Sequence, residues 1–303
     1  MNYYAAPMEG LTDRVWRQAH QKWFGPAGNA DRYYAPFISP PENRVLIKKE
    51  DGRACPCGKP RRTGDPAAAG KGRRTCRMDD RRAARPWLHR GEPEPRLSFR
   101  HRHRQRQGFR DCCVTPSSWT LSCRRICQCG GPISVKTRLG VEKPEEFAAI
   151  LDIYNRYPIC ELTIHPRVMR QLYRGQADRA AFAASLPGCR MPVCYNGDVT
   201  TAADLHTLEA QYPQLSGIMV GRGIIADPAL FREARGGAPA AREELRGYLD
   251  DLYHGYSELF GSAGCAVSRM KGHWFYLIHN VEGPKSWKSS CARRGNRGNM
   301  RSS

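Results

Sequence analysis

Four short apolar segments each run into residue types that bind anions, move protons or turn tightly: Lys136 and Arg138, His165 and Arg167, Asn196-Gly197-Asp198, and Gly221-Arg222-Gly223. Taken singly, each has an ordinary explanation. A lysine at a strand end is usually a solvated rim residue, and Asn-Gly-Asp is usually only a turn. Their recurrence at four successive segment ends is what those explanations do not cover. A Gly-Arg-Gly turn after a late strand suits phosphate, which backbone N–H groups can hold.

The elements that must position these residues follow from periodicity. Pro132–Leu139, Glu161–Arg167, Met191–Asp198 and Gly217–Gly223 read as strands. Glu145–Arg156, Ala177–Leu186 and Ala202–Tyr212 read as helices between them. Short strands alternating with helices indicate a parallel α/β sheet. When such a sheet closes into a (β/α)₈ TIM barrel, the carboxyl ends of its strands form the active face. Residues 2–8 read as a first strand, Thr12-Asp13 starts an amphipathic helix with Val15, Trp16 and His20 on one face, and 32–38 reads as a second strand whose Pro36 disfavours regular pairing. Beyond Gly236–Ala240, two helices carrying Leu245, Leu249, Leu252, Tyr253 and Tyr256, then Met270, Trp274, Phe275 and Leu277, form a C-terminal helical unit; the second is expected over about Ala266–His279.

The chain has 303 residues and a net charge of +20. Such a charge ordinarily points to an anionic partner, but its distribution does not. Residues 51–130 hold 20 Lys/Arg against 7 Asp/Glu, and 284–303 hold 6 basic residues and no acid, so the rest is close to neutral. Eight of the 13 cysteines also lie between positions 55 and 129, with one more at Cys291. Between Asp51 and Gly130 the apolar period is lost, and about 80 residues without periodic order is too long for an ordinary connection inside a compact domain. Cys112, Cys113, Cys123, Cys127 and Cys129 fit no paired zinc spacing, so no metal is expected. The Arg100–Arg106 run could act as an RNA-binding arm only incidentally. No run of about 18 apolar residues exists and the N-terminus lacks the marks of a signal peptide, so a cytoplasmic protein without membrane association is expected.

Taken together, Ala6-Pro7-Met8-Glu9-Gly10-Leu11-Thr12-Asp13, Ser134-Val135-Lys136-Thr137-Arg138-Leu139-Gly140, Ile164-His165-Pro166-Arg167, Tyr195-Asn196-Gly197-Asp198 and Gly221-Arg222-Gly223 resemble the FMN-dependent tRNA-dihydrouridine synthases in order and spacing. The resemblance covers about 1–48 and 131–283. It implies an FMN-binding TIM barrel over 1–235, aberrant at 50–130, then a helical tRNA-binding domain over 241–283 and an aberrant tail over 284–303. FMN would lie across the barrel mouth. Pro7, Met8 and Glu9 would border its ring, with Lys136 at the pyrimidine side and His165 at the flavin or its phosphate. Asn196, Gly197 and Asp198 would hold the ribityl chain, and Gly221 and Arg222 the phosphate. Arg138 and Arg167 would face the tRNA substrate. The resemblance further implies NADPH as electron donor, a monomer, hydride transfer to uracil C6, protonation of C5 by a cysteine, and a target uridine extruded into the pocket.

That cysteine belongs to an Asn-Leu-Gly-Cys-Pro-Ser-Gly type motif, which the chain lacks in frame. Codons available to Gly91–Gly108, read one base later, spell V-N-L-N-L-G-C-P-S-G-T-V-T-A-K-G-K, with the cysteine codon straddling Leu97 and Ser98. The same offset turns Gly58–Arg77 into a segment whose strand ends in the glutamine the family uses on FMN, straddling Ala67 and Ala68. Further offsets turn the text after Phe109 and Pro284–Asn296 into helices. The strands within 50–130 are therefore expected to be disrupted and the literal chain inactive. Two other functions fit less well: another FMN-dependent barrel oxidoreductase acting on a small molecule, which leaves the helical unit and the Arg138/Arg167 pair unexplained, and a non-catalytic RNA-binding remnant.

Overall fold

The computed structural model describes residues 1–25, 30–36 and 133–278, together with the backbone of three two-residue strands at 45–46, 76–77 and 98–99. The expectations for most of 50–130 and for the 284–303 tail lie outside the described residues.

Strand β1 (Asn2–Ala5) leads into a tight turn that Thr12 organises: its hydroxyl accepts from Met8 N at 2.7 Å and donates to Ala6 O at 3.1 Å. Asp13 then caps helix α1 (Arg14–Phe24) by accepting from Trp16 N, satisfying a donor that the first helical turn leaves open. The α1 face bearing Val15, Trp16, Ala19, His20 and Phe24 is buried, as its spacing requires. Strand β2 (Arg32–Tyr33) runs parallel to β1 and is shorter than expected, ending where Tyr34-Ala35-Pro36 leaves regular pairing. Strands β3 (Val45–Leu46) and β4 (Cys76–Arg77) pair antiparallel with one another, and β5 (Ser98–Phe99) joins the main sheet.

The alternation resumes with β6 (Ile133–Gly140), α2 (Glu146–Tyr154), β7 (Ile159–Val168), α3 (Arg179–Ser185), β8 (Val193–Tyr195), α4 (Ala202–Gln211) and β9 (Gly217–Val220). The sheet order is β2-β1-β9-β8-β7-β6-β5, all parallel. The last strand pairs with the first, Asn2 to Ala5 against Gly217 to Val220. An open doubly wound sheet reverses its order at a switch point, whereas consecutive strands that return to β1 describe a (β/α)₈ barrel wall. The strands are buried on both faces, which explains their apolar composition. Tyr4, Ala6, Tyr34, Cys194 and Met219 pack inside the curve, and a larger core outside it joins the strands to their helices.

Two five-residue helices follow β9, α5 (Arg222–Ala226) and α6 (Leu230–Ala234). They are too short to show a hydrophobic period and were not expected from the sequence. Helix α7 (Arg242–Phe260) ends at Gly261, whose φ of 65° is left-handed, and Ser262 caps α8 (Ala263–Leu277). The second helix thus begins three residues before Ala266 because the stop and the cap are adjacent. A Cβ at Gly247 would collide with the Trp23 ring, so glycine there lets α7 lie this close to α1. Tyr248, Leu252, Tyr256, Ala266 and Met270 belong to the same core as the barrel wall. No helix among the described residues is long and apolar enough to cross a membrane.

Candidate active site

The carboxyl ends of β1, β6, β7, β8 and β9 surround an open cleft. Its walls bring together ten of the residues singled out in the sequence: Pro7, Met8, Lys136, His165, Arg167, Asn196, Gly197, Asp198, Gly221 and Arg222. Glu9 and Arg138 stand next to this set without lining it. Arg138 donates to Val168 O at 2.8 Å, and its guanidinium lies 5.9 Å from the centre of the Tyr173 ring.

The floor is apolar on one side, where Ala6, Pro7, Met8, Met219 and Val220 meet. A Cβ at Gly221 would come within 3.0 Å of Met8 Sδ, so glycine there keeps the backbone close to the Met8 turn. Lys136 and His165 are each only 4% exposed, held by parallel strands that fix their direction. Asn196 donates to Met219 O at 2.6 Å, tying β8's end to β9.

Asp198 is the electrostatic centre. It adopts φ 44°, a left-handed conformation that Asp tolerates better than most residues. Its Oδ2 accepts from Arg167 at 2.5 Å and from Ala177 N at 2.8 Å, and its Oδ1 from Arg222 at 2.8 Å. Burial alone would raise its pKa, but the hydrogen bonds from Arg167 and Ala177 and the two guanidinium charges prevail and hold it below the usual carboxylate range. Arg167, 2% exposed, also donates to Gly175 O at 2.7 Å and contacts His165 Nε2 at 3.0 Å. It lies in the cleft wall rather than on an outer rim. Arg222 keeps 38% of its side chain exposed, with its guanidinium 5.1 Å from the Tyr173 ring centre.

Tyr173 was missed by the sequence reading. It sits in the polar loop after β7, just beyond Leu172, whose φ is 52°. An aromatic within so polar a stretch was the available signal. Leu97 lies outside the described residues. Ser98 opens β5 opposite Ser134, the second residue of β6 and two positions short of Lys136. Among the residues whose side chains are described the cysteines are Cys160, Cys189, Cys194 and Cys265, and none lines the cleft. Cys194 is fully buried, its thiol pushed well up by burial, and Cys160 donates to Ile133 O. Both belong to the barrel wall.

A parallel barrel whose ligand cleft sits at the carboxyl ends of its strands, with Lys-x-Arg, His-Pro-Arg and Asn-Gly-Asp turns around it, defines a class of α/β barrel proteins. Within that class, the chain belongs to the dihydrouridine synthase family: the sequence model of dihydrouridine synthases matches residues 127–293, more than half of the chain. The match starts where the apolar period returns and runs on into the tail. Among curated relatives, a probable tRNA-dihydrouridine synthase from Rhodobacter capsulatus is 30% identical over 154 residues, covering 48% of this chain and 47% of the relative. The tRNA-dihydrouridine synthase B of Pasteurella multocida is 26% identical over 153 residues, covering 48% and 46%. The chain spans about half the length of the curated relatives it matches. Among solved structures, the old yellow enzyme from Trypanosoma cruzi overlaps 48% of this chain and 41% of its own, with 14% identity and a TM-score of 0.33.

Proposed function

We propose that the cleft is an FMN site and that the protein's activity is flavin-dependent reduction of uridine to 5,6-dihydrouridine in tRNA, with NADPH as electron donor, in the cytoplasm. The observation that carries this reading is the donor set. Arg167 and Arg222 pair with a single carboxylate, Asp198, and Lys136 lines the same cleft, beside an apolar floor at Pro7 and Met8. A net positive, hydrogen-bonding wall opposite a flat apolar one suits a ligand that is a planar ring at one end and a phosphate at the other.

FMN, when bound, supplies the two-electron reducing chemistry. The remaining roles belong to the chain. Pro7, Met8 and Glu9 border the ring. Lys136 offsets negative charge at its polar edge and His165 supplies a second polar contact. Asn196, Gly197 and Asp198 form the turn along the sugar-alcohol chain, and Gly221 with Arg222 receives the phosphate. Arg138 serves the tRNA side, which Arg167, 2% exposed in the cleft wall, does not reach, and the helical unit over 241–283 supplies further tRNA contact to a monomeric enzyme.

One observation favours a qualified version of this function. Among the described residues no cysteine lines the cleft, so the family's proton donor for uracil C5 is not among them. A positioned acid contributes about 10²–10⁴-fold. Because the in-frame sequence carries no such motif at Leu97/Ser98, the chain as written is expected to be inactive, and restoring the altered frames across 49–130 and in the tail, with cysteine at that position, is expected to return activity. The test is the dihydrouridine content of tRNA from a synthase-null host carrying either version. Restoration by the frame-corrected version alone supports the proposal, and equal restoration by both overturns the frame account. Turnover of a free small molecule with tRNA untouched would favour the alternative oxidoreductase, and tRNA binding without chemistry by the corrected version would favour an RNA-binding remnant.

A further inference from the structure

Both oxygens of Asp198 are committed to protein donors: Oδ1 to Arg222, and Oδ2 to Arg167 and the amide of Ala177. A carboxylate so engaged has little capacity left for a ligand hydroxyl. Its partners come from three places. Arg167 ends β7, Arg222 starts α5 after β9, and Ala177 closes the loop that carries Tyr173. Arg167 grips the same loop a second time through Gly175 O. Tyr173 lies beneath both Arg138 and Arg222.

We propose that Asp198 is a positioning residue: it clasps the 169–178 loop to the cleft mouth through Arg167 and Ala177, and holds the Arg222 guanidinium where an anion entering the cleft meets it. The anion half deepens the flavin reading and rests on it; the loop half stands on geometry alone. The strain at φ 44° has a purpose in this account, because it lets one short carboxylate reach two arginines from neighbouring strand ends. The arrangement also divides the labour of the two arginines. Arg167, buried, serves the clasp. Arg222, with 38% of its side chain exposed, serves the ligand.

Hydrogen exchange of the full chain, followed by mass spectrometry on peptides spanning 169–178, tests the clasp. Asp198→Asn is expected to speed exchange in this loop at least tenfold. Arg167→Gln should do the same, and the double variant no more than either, because both break one device. Arg222→Gln should leave loop exchange within twofold of the parent. An unchanged loop in Asp198→Asn, or acceleration spread evenly over β7, β8 and α4, overturns the clasp. If Asp198→Asn does not fold, Arg167→Gln carries the same comparison. A second readout is affinity for inorganic phosphate by ³¹P line broadening. Arg222→Gln should weaken it at least tenfold, and Asp198→Asn should weaken it too, although deleting a negative charge would by itself strengthen anion binding. Tighter phosphate in Asp198→Asn overturns the positioning role. Absence of phosphate binding by the parent chain overturns the anion half, while the flavin reading is decided by the frame-corrected version and loop exchange still decides the clasp.

Discussion

Two histidines buried in this fold make its stability fall in mild acid. His20 is 1% exposed on α1, its Nδ1 2.7 Å from the Tyr33 hydroxyl and its Nε2 3.0 Å from Pro228 O. His273 is fully buried on α8, its Nε2 3.0 Å from the Tyr256 hydroxyl, which in turn donates to Asp13. Burial holds both imidazoles neutral down to about pH 4, against an ordinary value of 6.5; the Pro228 carbonyl only partly opposes this at His20, and Asp13 only partly at His273, where Arg269 adds to it. Between those values the unfolded chain takes up protons that the folded chain refuses, so stability is lost as pH falls from about 6.5 toward about 4. At pH 5 the loss relative to pH 7 is about 2 kcal/mol per histidine. Asp227 acts in the opposite sense. Burial and the neighbouring Glu233 raise it to about 6, so falling pH favours the folded state there. The assay therefore compares variants: urea denaturation at pH 7 and pH 5 for the parent chain, His20→Gln and His273→Gln. Each variant should lose about 2 kcal/mol less than the parent between the two pH values, with Asp227 cancelling in the difference. Equal losses in parent and variants would refute the claim that these imidazoles stay neutral because they are buried.

Leu252→Ala, at a fully buried position where α7 meets the barrel core, should cost about 2–5 kcal/mol in the same denaturation assay. Arg232→Met removes a bidentate pair with Glu244 and bonds to Ala238 O and Pro239 O, and should cost about 2 kcal/mol, less than a fully buried pair because Glu244 is partly solvated. Gly247→Leu should separate α7 from α1, since even a Cβ there collides with Trp23, and a thermal midpoint no lower than the parent's would contradict that packing.

The alternation of strand and helix after Gly131 was legible because each element is long enough to show its period. β6, β7, α2 and α4 fall close to their sequence bounds, and Asp13 and Thr201 cap their helices. α5 and α6 were illegible because five residues complete little more than one turn. At the cleft, residue types could be read but pairings could not. An arginine at a strand end looks solvated, and nothing local to Arg167 announces a carboxylate 31 positions away. The same holds for Tyr173, whose two cationic neighbours come from β6 and from the turn after β9.

The pairing of β1 with β9 also has a consequence for how the chain is made. Asn2 to Ala5 leave the ribosome well before their partners Gly217 to Val220, which follow more than two hundred residues later. At about 5–20 residues per second, that interval is roughly 10–40 s. For that time a strand of Tyr3, Tyr4 and Ala5, each almost wholly buried in the finished fold, has no neighbour on that side. The pairing that joins β1 and β2 to the later strands is therefore the last part of the main sheet that synthesis allows to form, and the step at which an exposed edge is most open to capture by another chain.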